Sequence, residues 1–244
     1  MSLYNEASLV MIPSGYKDGK LYSIKPTDGA GDFTFSRGSN LAATRVNSEG
    51  LIEKGRENLL VQSNSFNTSP WLGTATWTSG QADKDGGTNA WNFAKVADSS
   101  SDYYNDTVIN GVQTFSIYAK KQTGVGLKPY FFGSSNGYAT FNLEDGSVYG
   151  TSGSIIIDTN VEAYNSQWWR ISVTINGSSG KWYLYVTDGT HTQIADVITL
   201  QDAQLEQGLV ATDYIETTTT TAQAGILEDM PRLDYSGGDV QVCC

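Results

Sequence analysis

The pattern of apolar and polar positions changes character near Asn58. From there to about Thr217, apolar and polar side chains alternate in short runs, the period of strands with one buried face. Phe115, Ile117 and Ala119 alternate with Ser116, Tyr118 and Lys120, and Ala139, Phe141 and Leu143 alternate with Tyr138, Thr140 and Asn142. Asp145-Gly146 then supplies a hairpin turn. Trp169, Ile171, Val173 and Ile175 form the cleanest apolar face, opposite Trp168, Arg170, Ser172 and Thr174. After the turn-rich Asn176–Gly180, Trp182, Leu184 and Val186 lie on one side of a strand, with Tyr183 and Tyr185 on the other. No stretch sustains a helical period. Short alternating strands with turn signals between them predict an all-β fold, an antiparallel jelly-roll-like sandwich over residues 58–217.

The flanks read differently. Residues 1–57 hold short extended pieces (Lys20–Ile24, Asp32–Phe35, Gly50–Glu53) separated by turns such as Asp28-Gly29-Ala30-Gly31-Asp32. They carry too little apolar material for a core of their own, so this region is either disordered or ordered by docking. Docking is the better expectation, with Tyr22, Phe33 and Phe35 as apolar contacts. Arg37 and Arg45 either pair with carboxylates of a partner or stay solvated. Residues 218–244 read as a Thr-rich linker and a tail. Gly225-Ile226-Leu227-Glu228 echoes Gly50-Leu51-Ile52-Glu53, and Pro231–Tyr235 is another extended piece.

Composition agrees with a turn-rich β chain: 26 Gly against 5 Pro, with 14 Tyr and 6 Trp in 244 residues. Charged residues are 17%, below the usual share of about 25%, and Ser, Thr, Asn and Gly supply the polar surface instead. The net charge of -11 argues against contact with a nucleic-acid backbone, which needs clustered Lys and Arg. The only cysteines, Cys243 and Cys244, are adjacent and build neither a disulfide framework nor a metal-ligand spacing. They read as free thiols, with an intermolecular bridge as the alternative. The apolar run Ala7–Ile12 is too short for a signal-peptide core or a membrane span. No cofactor or metal is expected.

Three groups of residues invite a chemical reading. Trp168, Tyr183 and Tyr185 share the outward register of two consecutive strands if Trp169 and Trp182 face the core. Such aromatics stack on sugar rings, or else the same face packs on a loop, a sheet edge or a neighbouring subunit. Trp71, Trp77 and Trp91 read as core or edge-covering residues. Asp83-Lys84-Asp85-Gly86-Gly87 has the alternating carboxylates of a calcium loop but lacks the downstream bidentate acid, so a plain Asp-Gly turn is the better expectation. His191 is the sole histidine and has no recognisable nucleophile context. No catalytic residue is expected.

Ala203–Thr217 (Ala-Gln-Leu-Glu-Gln-Gly-Leu-Val-Ala-Thr-Asp-Tyr-Ile-Glu-Thr) adds a different kind of clue. Its alternation points Ala203 and Leu205 inward and leaves Gln204 and Glu206 wet, with Gly208 allowing a bend. This stretch resembles the closing strand and exit of a β-sandwich module of bacteriophage virion proteins. Asp32–Glu53 is similar to the lead-in of such proteins. Asn58-Leu59-Leu60 with Ser63, Phe66 and Trp77 is similar to the module's opening, and Thr114–Lys120 and Trp168–Thr174 to its central strands. The resemblance implies a non-enzymatic virion structural protein (head fibre, tail fibre or capsid decoration) with a carbohydrate-binding-module-like domain. Its partners would be other virion proteins, capsid or tail, docked through residues 1–57, and its oligomeric state a homotrimer. It would be assembled in the host bacterial cytoplasm, without nucleic-acid binding or membrane insertion. A glycan-binding adhesion module for surface polysaccharide is the alternative, and a polysaccharide depolymerase the lesser one. In relatives Pro-Arg-x-Asp-Tyr often leads into a second sandwich; here Ser236–Cys244 follows, which favours a compact surface protein.

Overall fold

A computed structural model of the chain describes residues 3–17, 20–34, 44–46, 52–54, 56–95, 103–224, 232–234 and 241–243. The chain divides into two units, Met1–Arg56 with Gln223–Cys244, and Glu57–Ala222.

In the first unit a short helix, α1 (Leu3–Glu6), precedes β1 (Val10–Lys17), β2 (Lys20–Lys25) and β3 (Phe33–Thr34), which form a three-stranded antiparallel sheet. β4 (Thr44–Val46) and β5 (Ile52–Lys54) pair as a hairpin. Asp32 ties the turn before β3 back to β2. It accepts from the Ser23 amide at 2.8 Å and pairs with Lys20 at 3.0 Å. The Ser23 amide and the Lys20 ammonium hold its carboxyl below the usual range. Of the expected docking residues, Tyr22 and Phe33 are 43% and 46% exposed. Arg45 stands opposite Glu53 in the hairpin register, and Phe35 and Arg37 lie outside the described residues.

The second unit is a two-sheet sandwich. Its strands are β6 (Arg56–Asn58, at the unit boundary), β7 (Trp71–Gly73), β8 (Ala75–Gln81), β9 (Ala90–Lys95), β10 (Tyr103–Asn105), β11 (Gly111–Lys121) and β12 (Gly126–Phe132). They continue with β13 (Gly137–Asn142), β14 (Ser147–Ser152), β15 (Ile156–Ala163), β16 (Trp168–Gly177), β17 (Lys181–Thr187), β18 (Val197–Gln207) and β19 (Ala222–Ala224). Beyond them β20 (Arg232–Asp234) and β21 (Gln241–Cys243) form a hairpin.

One six-stranded sheet has the order β14-β13-β12-β17-β10-β7 and the other β15-β16-β11-β18-β9-β8. Neighbouring strands run antiparallel throughout both, which makes the unit the antiparallel all-β sandwich that the alternation predicts. The inner residues of both sheets, among them Phe93, Phe115, Phe131, Phe141, Ile171, Trp182 and Leu205, close one apolar core. Trp71 and Trp77 extend it at one end, with Trp77 stacked on Phe66 at 4.8 Å and Trp71 on Tyr103 at 5.7 Å. Trp91 packs on the same core and donates its Nε1–H to the Asn64 carbonyl at 2.9 Å.

Two expectations change here. The first concerns Gln204 and Glu206, which are fully buried rather than wet. Gly208, at φ +118°, lets the chain leave β18 in a conformation that side chains resist, and residues 209–217 fold back over the outer face of the β11–β18 sheet. Glu206 accepts from the amide and hydroxyl of Thr212 at 2.8 and 2.6 Å, and Gln204 accepts from the Ile215 amide at 2.8 Å. Gln204 also donates to Glu206 at 2.9 Å and to the Thr212 carbonyl at 3.1 Å. Asn58, 0% exposed, spans the opening and closing stretches. Its amide donates to the carbonyls of Ala203 (3.1 Å) and Ile215 (2.8 Å), and its oxygen accepts from the amides of Leu60 (3.1 Å) and Leu205 (3.2 Å). Ser63 bonds the Tyr214 hydroxyl at 2.7 Å.

The second concerns β16 and β17. They follow each other along the chain but lie in different sheets, so the turn-rich Asn176–Gly180 is a crossover and not a hairpin within one face.

Candidate functional site

That crossover separates Trp168 from Tyr183 and Tyr185. Trp168 lies on the outer face of the β11–β16 sheet at 2% exposure, packed with Ala90, Tyr118 and Tyr214 and with Lys120 5.1 Å from its ring. The returning segment that carries Tyr214 covers it, so Trp168 offers no platform. Tyr183 and Tyr185 instead stand on the outer face of the opposite sheet.

There they join a row that the ladders align. Tyr104 of β10 is directly opposite Tyr183 of β17, which is opposite Tyr130 of β12, which is opposite Tyr138 of β13. The inner partners of these strands, Tyr103, Trp182, Phe131 and Ala139, enter the core, and strict alternation sends the tyrosines outward. Ring centroids follow one another at 4.8, 6.4 and 5.8 Å. Three inter-strand spacings make the row about 14 Å long. Tyr185 lies two residues along β17, its ring parallel to that of Tyr183 at 6.4 Å, and Phe132 closes the side of the row at 6.1 Å from Tyr183.

An open cleft of about 420 Å³ runs along this face, lined by Lys128, Tyr130, Phe132, Tyr138, Tyr183, Tyr185 and Gln193. None of these is an Asp or Glu. Lys128 is opposite Tyr185 in the ladder and 6% exposed; its Nζ lies 5.1 Å from the Tyr138 ring and donates to the His191 carbonyl at 3.0 Å. Burial, with help from the nearby Lys95, lowers its ammonium below the ordinary lysine range. Lys95 donates to Gln193 at 2.7 Å and sits 4.6 Å from the Tyr185 ring. His191 borders the cleft. Its Nδ1 is 2.8 Å from the Thr140 hydroxyl, and its ring stands edge-on to Tyr138 and Tyr149.

A second hollow, about 450 Å³, lies by Lys120, Lys121, Glu144, Gln167 and Trp169. The Lys121–Glu144 ion pair at 2.7 Å borders it, and Trp169 is committed to the Leu143 carbonyl at 3.0 Å. It offers no comparable aromatic floor.

The acidic loop turns inward on itself. Asp83 accepts from the amides of Asp85, Gly87 and Asn89 at 2.9, 2.7 and 3.0 Å, and Lys84 places its ammonium between Asp85 and Asp202, at 2.5 and 3.1 Å. A protein cation thus occupies the space between these carboxylates. Among the described residues no group of three His, Cys, Asp or Glu is placed to hold a metal ion, and no helix is long and apolar enough to cross a membrane.

Alternation alone thus assigns Tyr138, Tyr183 and Tyr185 to outward faces but misses Lys128, Tyr130 and Phe132. The signal is present in Lys128-Pro129-Tyr130-Phe131-Phe132, where Phe131 is the inward residue and its neighbours point out. Comparison with known protein families and with characterised proteins finds no match to this chain.

Proposed function

We propose that the chain is a non-enzymatic surface protein of a phage particle whose sandwich binds carbohydrate through the tyrosine face of β10, β17, β12 and β13. The observation that carries the binding role is the row Tyr104–Tyr183–Tyr130–Tyr138 beside an open cleft. Aromatic faces accept the C–H faces of sugars, and tyrosines present large rigid contact area at low entropic cost. Gln193 and the tyrosine hydroxyls supply polar groups for sugar hydroxyls. The particle assignment rests on the resemblance of the opening and closing stretches, which Asn58, Gln204 and Glu206 tie together in the fold. Residues 1–56 would then supply the attachment to capsid or tail proteins, in a homotrimer.

Affinity electrophoresis of the full chain through gels containing host surface polysaccharides tests the binding role. Retardation of wild type, lost in a Tyr130→Ala, Tyr183→Ala double variant that keeps its thermal transition, is the expected outcome. Unretarded wild type would leave assembly as the sandwich's task. Immunogold labelling of purified particles tests the location, and particles without label would remove the virion assignment.

A further inference from the structure

Resting on the carbohydrate reading, we infer that the cleft selects sugars bearing an anionic group, a carboxylate or a sulfate, and that Lys128 is the residue that receives it. Lys128 stands in the middle of β12, among aromatic rings rather than acids. Its ammonium faces the rings of Tyr138 and Tyr185 at 5.1 and 5.4 Å, and its one hydrogen bond is to the neutral His191 carbonyl. Among the described residues no carboxylate forms an ion pair with it.

That is unusual in a chain with 26 acidic and 15 basic residues, and another cation of this face is neutralised by a carboxylate. Lys181, over Tyr104 at 5.0 Å at the far end of the row, pairs with Asp106. A cation held 6% exposed without a counter-charge costs desolvation free energy that an incoming anion offsets. Lys95 lies 4.6 Å from the same Tyr185 ring and donates to Gln193 at 2.7 Å. An ammonium keeps N–H groups beyond the one given to His191, and a carboxylate or sulfate is the acceptor that gains most from them. The aromatic row then orients the sugar, and Lys128 reads its charge.

The test is a glycan array printed with matched neutral, uronate-bearing, sialylated and sulfated glycans, probed with full-length wild type, Lys128→Met, Lys128→Arg and Tyr183→Ala. Wild type is expected to prefer the charged member of a matched pair by about tenfold or more, the worth of one charge-assisted hydrogen bond. Lys128→Met should bind both members alike, Lys128→Arg should keep the preference, and Tyr183→Ala should lose both. The uronate, sialate and sulfate spots distinguish which anion is taken. Added salt should weaken wild-type binding to charged glycans alone, a readout that needs no variant to fold. Equal wild-type binding to neutral and charged partners, unaffected by salt, overturns the charge selection and leaves the carbohydrate reading standing. No binding to any glycan overturns both.

Discussion

Replacing Asn58 by Ala should cost the sandwich about 4 kcal/mol. Asn58 is completely buried and uses its full side-chain capacity on backbone groups, donating to Ala203 and Ile215 and accepting from Leu60 and Leu205. The truncated side chain leaves four buried backbone groups without their partner, and each net hydrogen bond is worth about 1 kcal/mol. For a unit of this size, that is a fall in Tm of about 10 °C. Urea unfolding followed by tryptophan fluorescence measures it, with exposed Asn67→Ala as a control expected to stay within about 0.5 kcal/mol. Asn58→Asp is the sharper probe. It keeps the shape but sets a carboxylate oxygen against the two carbonyls. It should be at least as damaging at neutral pH and recover as acid protonates it and restores one donor. An Asn58→Ala loss below about 1 kcal/mol, or an Asn58→Asp variant indifferent to pH, would refute the claim that this side chain clamps the opening and closing strands.

Three further outcomes follow from the packing. Burial pushes the Asp202 carboxyl up to about 6 against the pull of Lys84. The folded form therefore holds this proton between about pH 4 and pH 6 while the unfolded chain has released it. Its contribution is greatest below about pH 4, falls by about 3 kcal/mol as pH rises to about 6, and is flat beyond. Asp202→Asn should gain on wild type by that amount over the window in matched urea titrations, and parallel curves would contradict it. Gly146→Ala combines φ +71° with a new methyl 2.3 Å from the Trp169 ring. It should cost at least about 2 kcal/mol in the same assay, and a loss under about 0.5 kcal/mol would count against that contact. Residues 57–222 expressed alone contain a complete core and should unfold in one cooperative transition; a broad, non-cooperative melt would contradict the division into units.

Much of the sandwich is legible in the alternation of β11, β13, β16 and β17, because each has one face in a common core and period 2 reports that directly. β12 is harder to see. Pro129 argues against a central strand, and the structure accommodates it because the ladder to β13 pairs Leu127 and Tyr130 but not the two residues between. The tyrosine row is hidden for a related reason. Alternation tells which side of its own strand a residue occupies, but the row exists only once β10, β17, β12 and β13 are known to be neighbours, and that order is non-local. The placement of Trp168 beside Tyr183 fails on the same point, since β16 and β17 are consecutive along the chain but lie in different sheets. Gln204 and Glu206 show a second limit. Their alternation assigns the outer face correctly, and only the return of residues 209–217 makes that face an interior.

Sugar bound by the proposed site would lie on the outer tyrosine face of the β12–β17 sheet. Hydrogen–deuterium exchange of the full chain, with and without the polysaccharide it retains best, locates the contact directly. Protection is expected to concentrate in peptides that carry Lys128–Phe132, Tyr138 and Tyr183–Tyr185. Protection confined to the opposite sheet around Trp168, or none anywhere at saturating polysaccharide, would contradict it.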